Sequence, residues 1–258
     1  MNQFITCTVE DRVCIITLNR PEKRNALNQR FVLELITAFK KAEDNIDIKV
    51  VILKSSADTF SAGADLQYLQ QLQEYSFEEN LDDSKQLSYL FSTIYNFSKP
   101  VVAQVSGDAI AGGCGLATVC DVIFATPESR FGYTEVKIGF VPALVATFLI
   151  RRIGEGRSRE MLLSGNLIAA EVARNYGLVS FISSKDEIDA EVLRYAKKLT
   201  KEVSSQSVAL TKKLLSKLSA LSLDDSLEYA EKVNAKARLS DDCKKGINAF
   251  ISKKPFEW

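Results

Sequence analysis

A chain of 258 residues is long enough for one large domain, or for one domain with an appendage. Hydrophobic residues make up 46% and charged residues 26%, ordinary values for a globular protein. The 33 basic and 33 acidic residues balance to a formal net charge of +0. That balance supplies no field to hold a polyanion, so no nucleic-acid partner is expected. No apolar run is long enough to cross a bilayer, and no membrane association is expected. The opening Met-Asn-Gln-Phe lacks the basic flank and apolar core of an export signal, so a cytoplasmic protein is expected.

Histidine is absent. This excludes Ser-His-Asp and Cys-His nucleophiles, His-ligated zinc and His-ligated haem. Any proton chemistry must run on Glu, Asp, Tyr, Lys or Cys. The five cysteines, Cys7, Cys14, Cys114, Cys120 and Cys243, contain no Cys-x-x-Cys pair. They read as reduced and mostly buried thiols.

In chain order, Val9 to Leu18 reads as one β-branched, apolar strand, broken by Asn19-Arg-Pro-Glu-Lys-Arg. Asn28 to Asn45 has helical spacing, with Phe31, Leu35, Ala38, Phe39 and Ala42 on one face. Val50 to Lys54 is a buried strand, and Asp65 to about Glu74 is helical. Tyr75 to Asp83 is polar and acidic and is expected to be a mobile loop, followed by an amphipathic helix to Phe97. Val101 to Val105 is a strand, Gly112 to Cys120 a helix, Asp121 to Ala125 a strand, and Arg130-Phe131 a short one. Pro142 to Arg152 and Ala169 to Tyr176 are helical, and Leu178 to Ile182 is the last strand.

From Ile188 onward the pattern is nearly all helix. Leu210, Leu214 and Leu218 share one face, and Leu223, Leu227, Ala230, Val233 and Ala237 share another. The fold class is α/β: a body of residues 1–190 and a helical region of residues 191–258. Amphipathic tail helices must pack on that body or on a neighbouring subunit.

Three segments carry the chemistry. In Phe60-Ser-Ala-Gly-Ala-Asp65, the small residues Ala62, Gly63 and Ala64 leave a path to the backbone N–H groups, and Asp65 suits a helix start. In Ala109-Ile-Ala-Gly-Gly-Cys-Gly-Leu116, Gly112 and Gly113 open a helix whose first N–H groups are unsatisfied. In Phe131-Gly-Tyr-Thr-Glu135, the carboxylate sits among apolar neighbours that would raise its pKa toward the range useful for proton transfer. Two backbone donors and one carboxylate suit a reaction that passes through an enolate. Each segment also has a plainer reading: a tight turn, a packing glycine, or a glutamate paired with Lys137 or Arg130.

Taken together and in order, these segments resemble the crotonase superfamily, the enoyl-CoA hydratase/isomerase family. The resemblance runs from about Val9 to Val179 and includes Leu18-Asn-Arg-Pro-Glu-Lys-Arg-Asn-Ala-Leu-Asn28, Lys99-Pro-Val-Val-Ala103, Cys120-Asp121 and Gly139-Phe-Val-Pro142. It implies a spiral of ββα units with a C-terminal helical region that serves trimerisation and the CoA site. It implies homo-oligomers, either trimers or dimers of trimers. It implies an acyl-CoA thioester as partner and no separate cofactor or metal, CoA being part of the substrate.

The two oxyanion donors map onto Ala64 and Gly112, and the acid/base group onto Glu135. Arg24, Ala26, Leu27, Ala62, Gly63, Asp65, Leu66 and Gly113 map onto the substrate and CoA surface. Phe250 and Lys253 resemble positions near the CoA nucleotide that are sometimes donated by a neighbour. Two-glutamate hydratases carry a carboxylate where this chain has Gly115. The motifs around Glu135 look like hydratases of the methylglutaconyl-CoA type, with leucine degradation or fatty acid metabolism as the context. A Δ3,Δ2-enoyl-CoA isomerase using the same glutamate is the alternative, and an acyl-CoA-binding oligomer without turnover a further one. Tyr133, Asp65 and Asp82 remain open as assistants to Glu135. Lys212-Lys213 and Lys244-Lys245 read as solvated helix faces.

Overall fold

The chain begins with a hairpin where the sequence predicts a single strand. In the computed structural model, which describes residues 3–253 and 256–258, β1 (Ile5–Glu10) pairs antiparallel with β2 (Val13–Leu18). Asp11 and Arg12, at φ 46° and 67°, make the two-residue turn. Hairpin turns of this length need positive φ, and the usual Asn-Gly signal is missing here.

α1 (Gln29–Asp44) starts where Asn28 accepts a hydrogen bond from the Phe31 N–H, and it buries the predicted face. β3 (Val50–Ser55) follows, then β4 (Thr59–Ser61) and α2 (Leu66–Leu72). The expected loop at Tyr75 to Asp83 is mostly helix: α3 spans Phe77–Tyr95. A capping box starts it, in which the Ser76 N–H donates to Glu79 Oε2 (2.8 Å) and the Glu79 N–H donates to Ser76 Oγ (3.2 Å). The acidic character that suggested a loop is the favourable charge of a helix first turn.

Then come β5 (Val101–Val105), β6 (Asp108–Ile110), α4 (Gly112–Thr118), β7 (Val122–Ala125) and β8 (Arg130–Gly132). α5 (Ala143–Ser164) runs well past Arg152 and is interrupted at Gly154, φ 76° and ψ 167°. β9 (Ile168–Ala169), α6 (Ala170–Asn175) and β10 (Phe181–Ile182) complete the body. The last strand is shorter than expected, because only Phe181 and Ile182 find partners, on β7. α7 (Ile188–Glu202), α8 (Ser205–Leu218), α9 (Leu223–Leu239) and α10 (Asp241–Ser252) follow.

Two sheets organise the body. The larger has the order β1-β2-β3-β5-β7-β10, parallel except for the β1–β2 hairpin. The smaller has the order β4-β6-β8-β9. One face of the larger sheet packs on Phe31, Leu35 and Phe39 of α1 and Leu90, Phe91 and Ile94 of α3. Its other face, Val13, Val50, Ile52, Val102 and Phe124, packs on Ile188, Val192 and Ala196 of α7. A sheet covered on both sides explains why its strands are nearly continuous apolar runs.

The helical region thus divides by function. α7 closes the sheet, whereas α8, α9 and α10 contain no fully buried residue. Lys212 departs from the solvated-face expectation: its side chain is one-tenth exposed and bonds Asp121 and the Lys99 carbonyl. Lys213, Lys244 and Lys245 are exposed as expected. All five cysteines are free, with Cys14, Cys114 and Cys120 buried, Cys243 half-buried and Cys7 exposed. No helix among the described residues is long and apolar enough to cross a membrane.

Candidate active site

Three strands of the smaller sheet, β4, β6 and β8, run parallel and side by side. Adjacent strands lie about 4.8 Å apart. From its carboxyl end, each releases one of the three segments singled out in the sequence. β4 leads into Ala62-Gly63-Ala64, β6 into Ala111-Gly112, and β8 into Thr134-Glu135. Strands three residues long carry too little pattern to be recognised alone, and neither β4 nor β6 was expected from the sequence.

Leu27 straps the first segment in place. Its N–H donates to the Gly63 carbonyl (2.7 Å) and its carbonyl accepts from the Asp65 N–H (2.8 Å). With the groups on both sides of Ala64 tied to Leu27, the Ala64 N–H points away from that strap. It has no acceptor among the described residues, and neither has the Gly112 N–H.

The two segments approach each other at Gly63. This residue sits at φ 88°, and a Cβ there would lie 2.9 Å from the Ala111 Cβ and 3.6 Å from the Gly112 nitrogen. Only glycine allows both the backbone conformation and the approach. Ala111 itself is strained, at φ 51° and ψ −125°, and is pinned by its N–H to the Gly132 carbonyl at 2.7 Å. Strain of this kind stores about 1–3 kcal/mol. Ala111→Gly is therefore expected to raise the melting midpoint while lowering turnover, because the strained residue fixes the direction of the next amide. A lower midpoint, measured by calorimetry, would refute the strain account.

Glu135 begins a short 3-10 turn, Glu135–Ile138. It is half-buried, and its Oε2 is buried with no hydrogen-bond partner. Desolvation pushes its carboxyl above the usual carboxylate range. The salt-bridged reading of Glu135 does not hold: Lys137 reaches Asn166, and Arg130 forks onto Asp108. Burial pushes the Cys114 thiol up to about 12, and the charge of Glu135 acts in the same direction.

None of the three open assistants is free to serve Glu135. Tyr133 is fully buried and its hydroxyl bonds Thr118 Oγ1 at 2.8 Å. Asp65 pairs with Arg20 and caps α2. Asp82 pairs with Lys85 on the exposed face of α3.

Asn25 is a positioning residue that the sequence reading passed over. It is fully buried, takes the Arg20 N–H on its Oδ1, and donates to Ser55 Oγ and to the Thr59 and Phe60 carbonyls. This fastens the Arg20–Leu27 loop to β4. The signal available in the sequence was an asparagine directly before the apolar Ala26-Leu27; once buried, its amide must be satisfied.

Arg24 is exposed beside Asp108, and Ala62 is half-buried while Leu66 is exposed. Ala26 and Leu27 are buried and contribute mainly backbone. Gly113 is pressed on Ser61. Phe250 (86% exposed) and Lys253 lie at the end of α10, which packs on α8 and α9. A cavity of about 260 Å³ between the ends of α1 and α7, and one of about 180 Å³ behind α4, are both separate from the three groups. Ile138, Phe140 and Val141, directly after Glu135, are exposed.

Adjacent parallel strand ends that present two free amides and one half-buried carboxylate offer donors for a developing oxyanion and a group able to exchange a proton. The comparisons narrow this to a family. The enoyl-CoA hydratase/isomerase family model matches residues 8–258. A Thermus thermophilus protein named for enoyl-CoA hydratase activity is 42% identical, covering 94% of this chain and 96% of its own. The 2,3-dehydroadipyl-CoA hydratase of Escherichia coli is 32% identical, covering 95% and 94%. A solved enoyl-CoA hydratase from Shewanella pealeana superposes with a TM-score of 0.93 at 29% identity, covering 99% and 96%. The chain belongs to the enoyl-CoA hydratase/isomerase family and has the crotonase fold.

Proposed function

We propose that this chain is an enoyl-CoA hydratase that works with one glutamate. The observation that carries the reading is the delivery of Ala64, Gly112 and Glu135 from three adjacent parallel strands. The Ala64 and Gly112 N–H groups hold the thioester oxygen. Glu135 takes a proton from water as the water oxygen bonds to the β-carbon, and the displaced electron pair moves to the thioester oxygen as an enolate. Glu135 then returns the proton to the α-carbon. One water is added and the carboxylate is regenerated. A carboxyl held above its usual range by burial is better matched to this exchange than an exposed one.

The hydratase names of the relatives favour this reading. Within it, a branched ester of the methylglutaconyl type is the proposed substrate, with CoA as handle and no further cofactor. Arg24, Ala62 and Leu66 present the CoA surface. Gly115 supports a second reading, a Δ3,Δ2-enoyl-CoA isomerase, because a single base suffices to move one proton between carbons.

Exposed Leu223, Leu227, Leu239, Ile247, Phe250 and Ile251 on α9 and α10 support a homo-oligomer in which a neighbour brings Phe250 and Lys253 to the CoA. Light scattering should give a trimer or hexamer mass, and Leu227→Lys with Leu239→Lys should lower it. A monomeric wild type would end that proposal.

The test of function is product mass and solvent-deuterium uptake with 3-methylglutaconyl-CoA, crotonyl-CoA and a 3-enoyl-CoA. Gain of one water is expected. Double-bond migration without water would favour the isomerase. Tight ester binding with no turnover would leave a binding protein.

A further inference from the structure

Gly112, which carries a free amide, and Gly115 are three residues apart on α4, so a side chain at position 115 would stand one turn along the helix on the same face as residue 112. That space is filled. A Cβ on residue 115 would lie 2.4 Å from Val145 Cγ1 and 3.2 Å from Phe91 Cζ. Val145 is buried near the start of α5, and Phe91 is fully buried on α3. Phe148, one turn after Val145, meets Phe91 edge-on at 6.1 Å and closes the wall from behind. Val145 is β-branched, and so stiff at χ1, and only 4% exposed, which leaves it little room to swing aside.

We propose that Val145 is a specificity-determining residue: from α5 it occupies the space a side chain at position 115 would need, and so confines proton transfer to Glu135. This rests on the reading of Glu135 as the proton-transfer group. Gly115 is then one half of a matched pair with Val145, and replacing the glycine alone cannot supply a second carboxylate.

The test compares G115A, G115E, V145A and the doubles G115A/V145A and G115E/V145A with the wild type. Melting midpoint, crotonyl-CoA binding and crotonyl-CoA hydration are read for each. G115A and G115E should each lower the midpoint by roughly 5 °C or more, and V145A in the same chain should return at least half of that loss. G115E/V145A should hydrate crotonyl-CoA about a hundredfold faster than G115E, the scale of one general acid–base group. A G115E protein that melts like the wild type overturns the inference. So does a folded, ester-binding double variant that adds water no faster than G115E. A double variant that stays unfolded also overturns it, since something other than Val145 then excludes the side chain. An inactive wild type beside an active double variant defeats the proposed function and leaves the role of Val145 standing; an active wild type beside an unimproved double variant does the reverse.

Discussion

Glu135→Gln is expected to lower turnover about 10²- to 10⁴-fold, the range for loss of a positioned general acid–base group. The substitution keeps shape and volume and removes only the ability to exchange a proton. Ester binding should be nearly unchanged, because the amides of Ala64 and Gly112 remain. The same change should raise stability at neutral pH. Burial holds the Glu135 carboxyl above its unfolded value, so between the two values the folded chain binds more protons than the unfolded one. Stability contributed by this group is fully present below the ordinary carboxylate pKa and is lost as pH rises through the raised one. Glutamine carries no charge to desolvate, so the variant should melt higher than wild type at pH 7 and converge with it on acidification. In activity the sign is opposite: wild-type turnover should fall as pH drops through the raised pKa, because the first step needs the carboxylate. Steady-state kinetics and calorimetry across pH read both effects. A variant that retains turnover would remove Glu135 from the chemistry.

Asp65→Ala is expected to be the most destabilising single change near the site. Arg20 Nη2 and Asp65 Oδ2 are 2.6 Å apart, with side chains only 9% and 6% exposed. Asp65 also accepts the Gln67 N–H at 2.9 Å and so caps α2. Removing the carboxylate strands a buried guanidinium, which costs about 3–5 kcal/mol, with about 1 kcal/mol more for the lost cap. In a chain of this length that is roughly 10 °C in melting midpoint. Turnover should fall as well, since Asp65 anchors the Ala64 amide beside it. Replacing Arg20 with Met in the same chain should recover much of the loss, because no charge is then left unpaired. Burial pushes the Asp65 carboxyl up, but the Arg20 hydrogen bond and charge and the Gln67 N–H together hold it below its ordinary value. Its contribution is therefore present above the unfolded pKa and lost as pH falls through the depressed one. The gap between wild type and variant should narrow in acid. A loss below about 1 kcal/mol would mean that the pair is not a support of the site.

Much of this molecule was legible before the structure. The α1 face, the apolar strands β3, β5 and β7, and the helical run after Ile188 follow from hydrophobic spacing, which burial enforces directly. The Ser76–Glu79 capping box is also present in the sequence, where the polar, acidic composition of Tyr75 to Asp83 masks the helix it starts. The Asp11–Arg12 turn was missed for a different reason: two charged residues at positive φ leave no glycine to mark them.

The site divides in the same way. Residue chemistry alone determined that proton transfer could not use histidine and that the small residues around Ala64 and Gly112 could bare their amides, while the resemblance to the family singled out Glu135 among the carboxylates. These are local properties, carried by side-chain type and by what glycine permits. Only the tertiary structure decided that the three segments leave the same edge of one sheet, because β4 and β6 are too short to declare themselves and acquire their identity by pairing with each other and with β8. It also decided that Asp65 belongs to Arg20 and Tyr133 to Thr118, and that Gly115 faces Val145 from another helix. Those contacts join residues far apart in the chain, and the energy that selects them is the satisfaction of buried charge, buried hydroxyls and packed volume, which no local stretch of sequence contains.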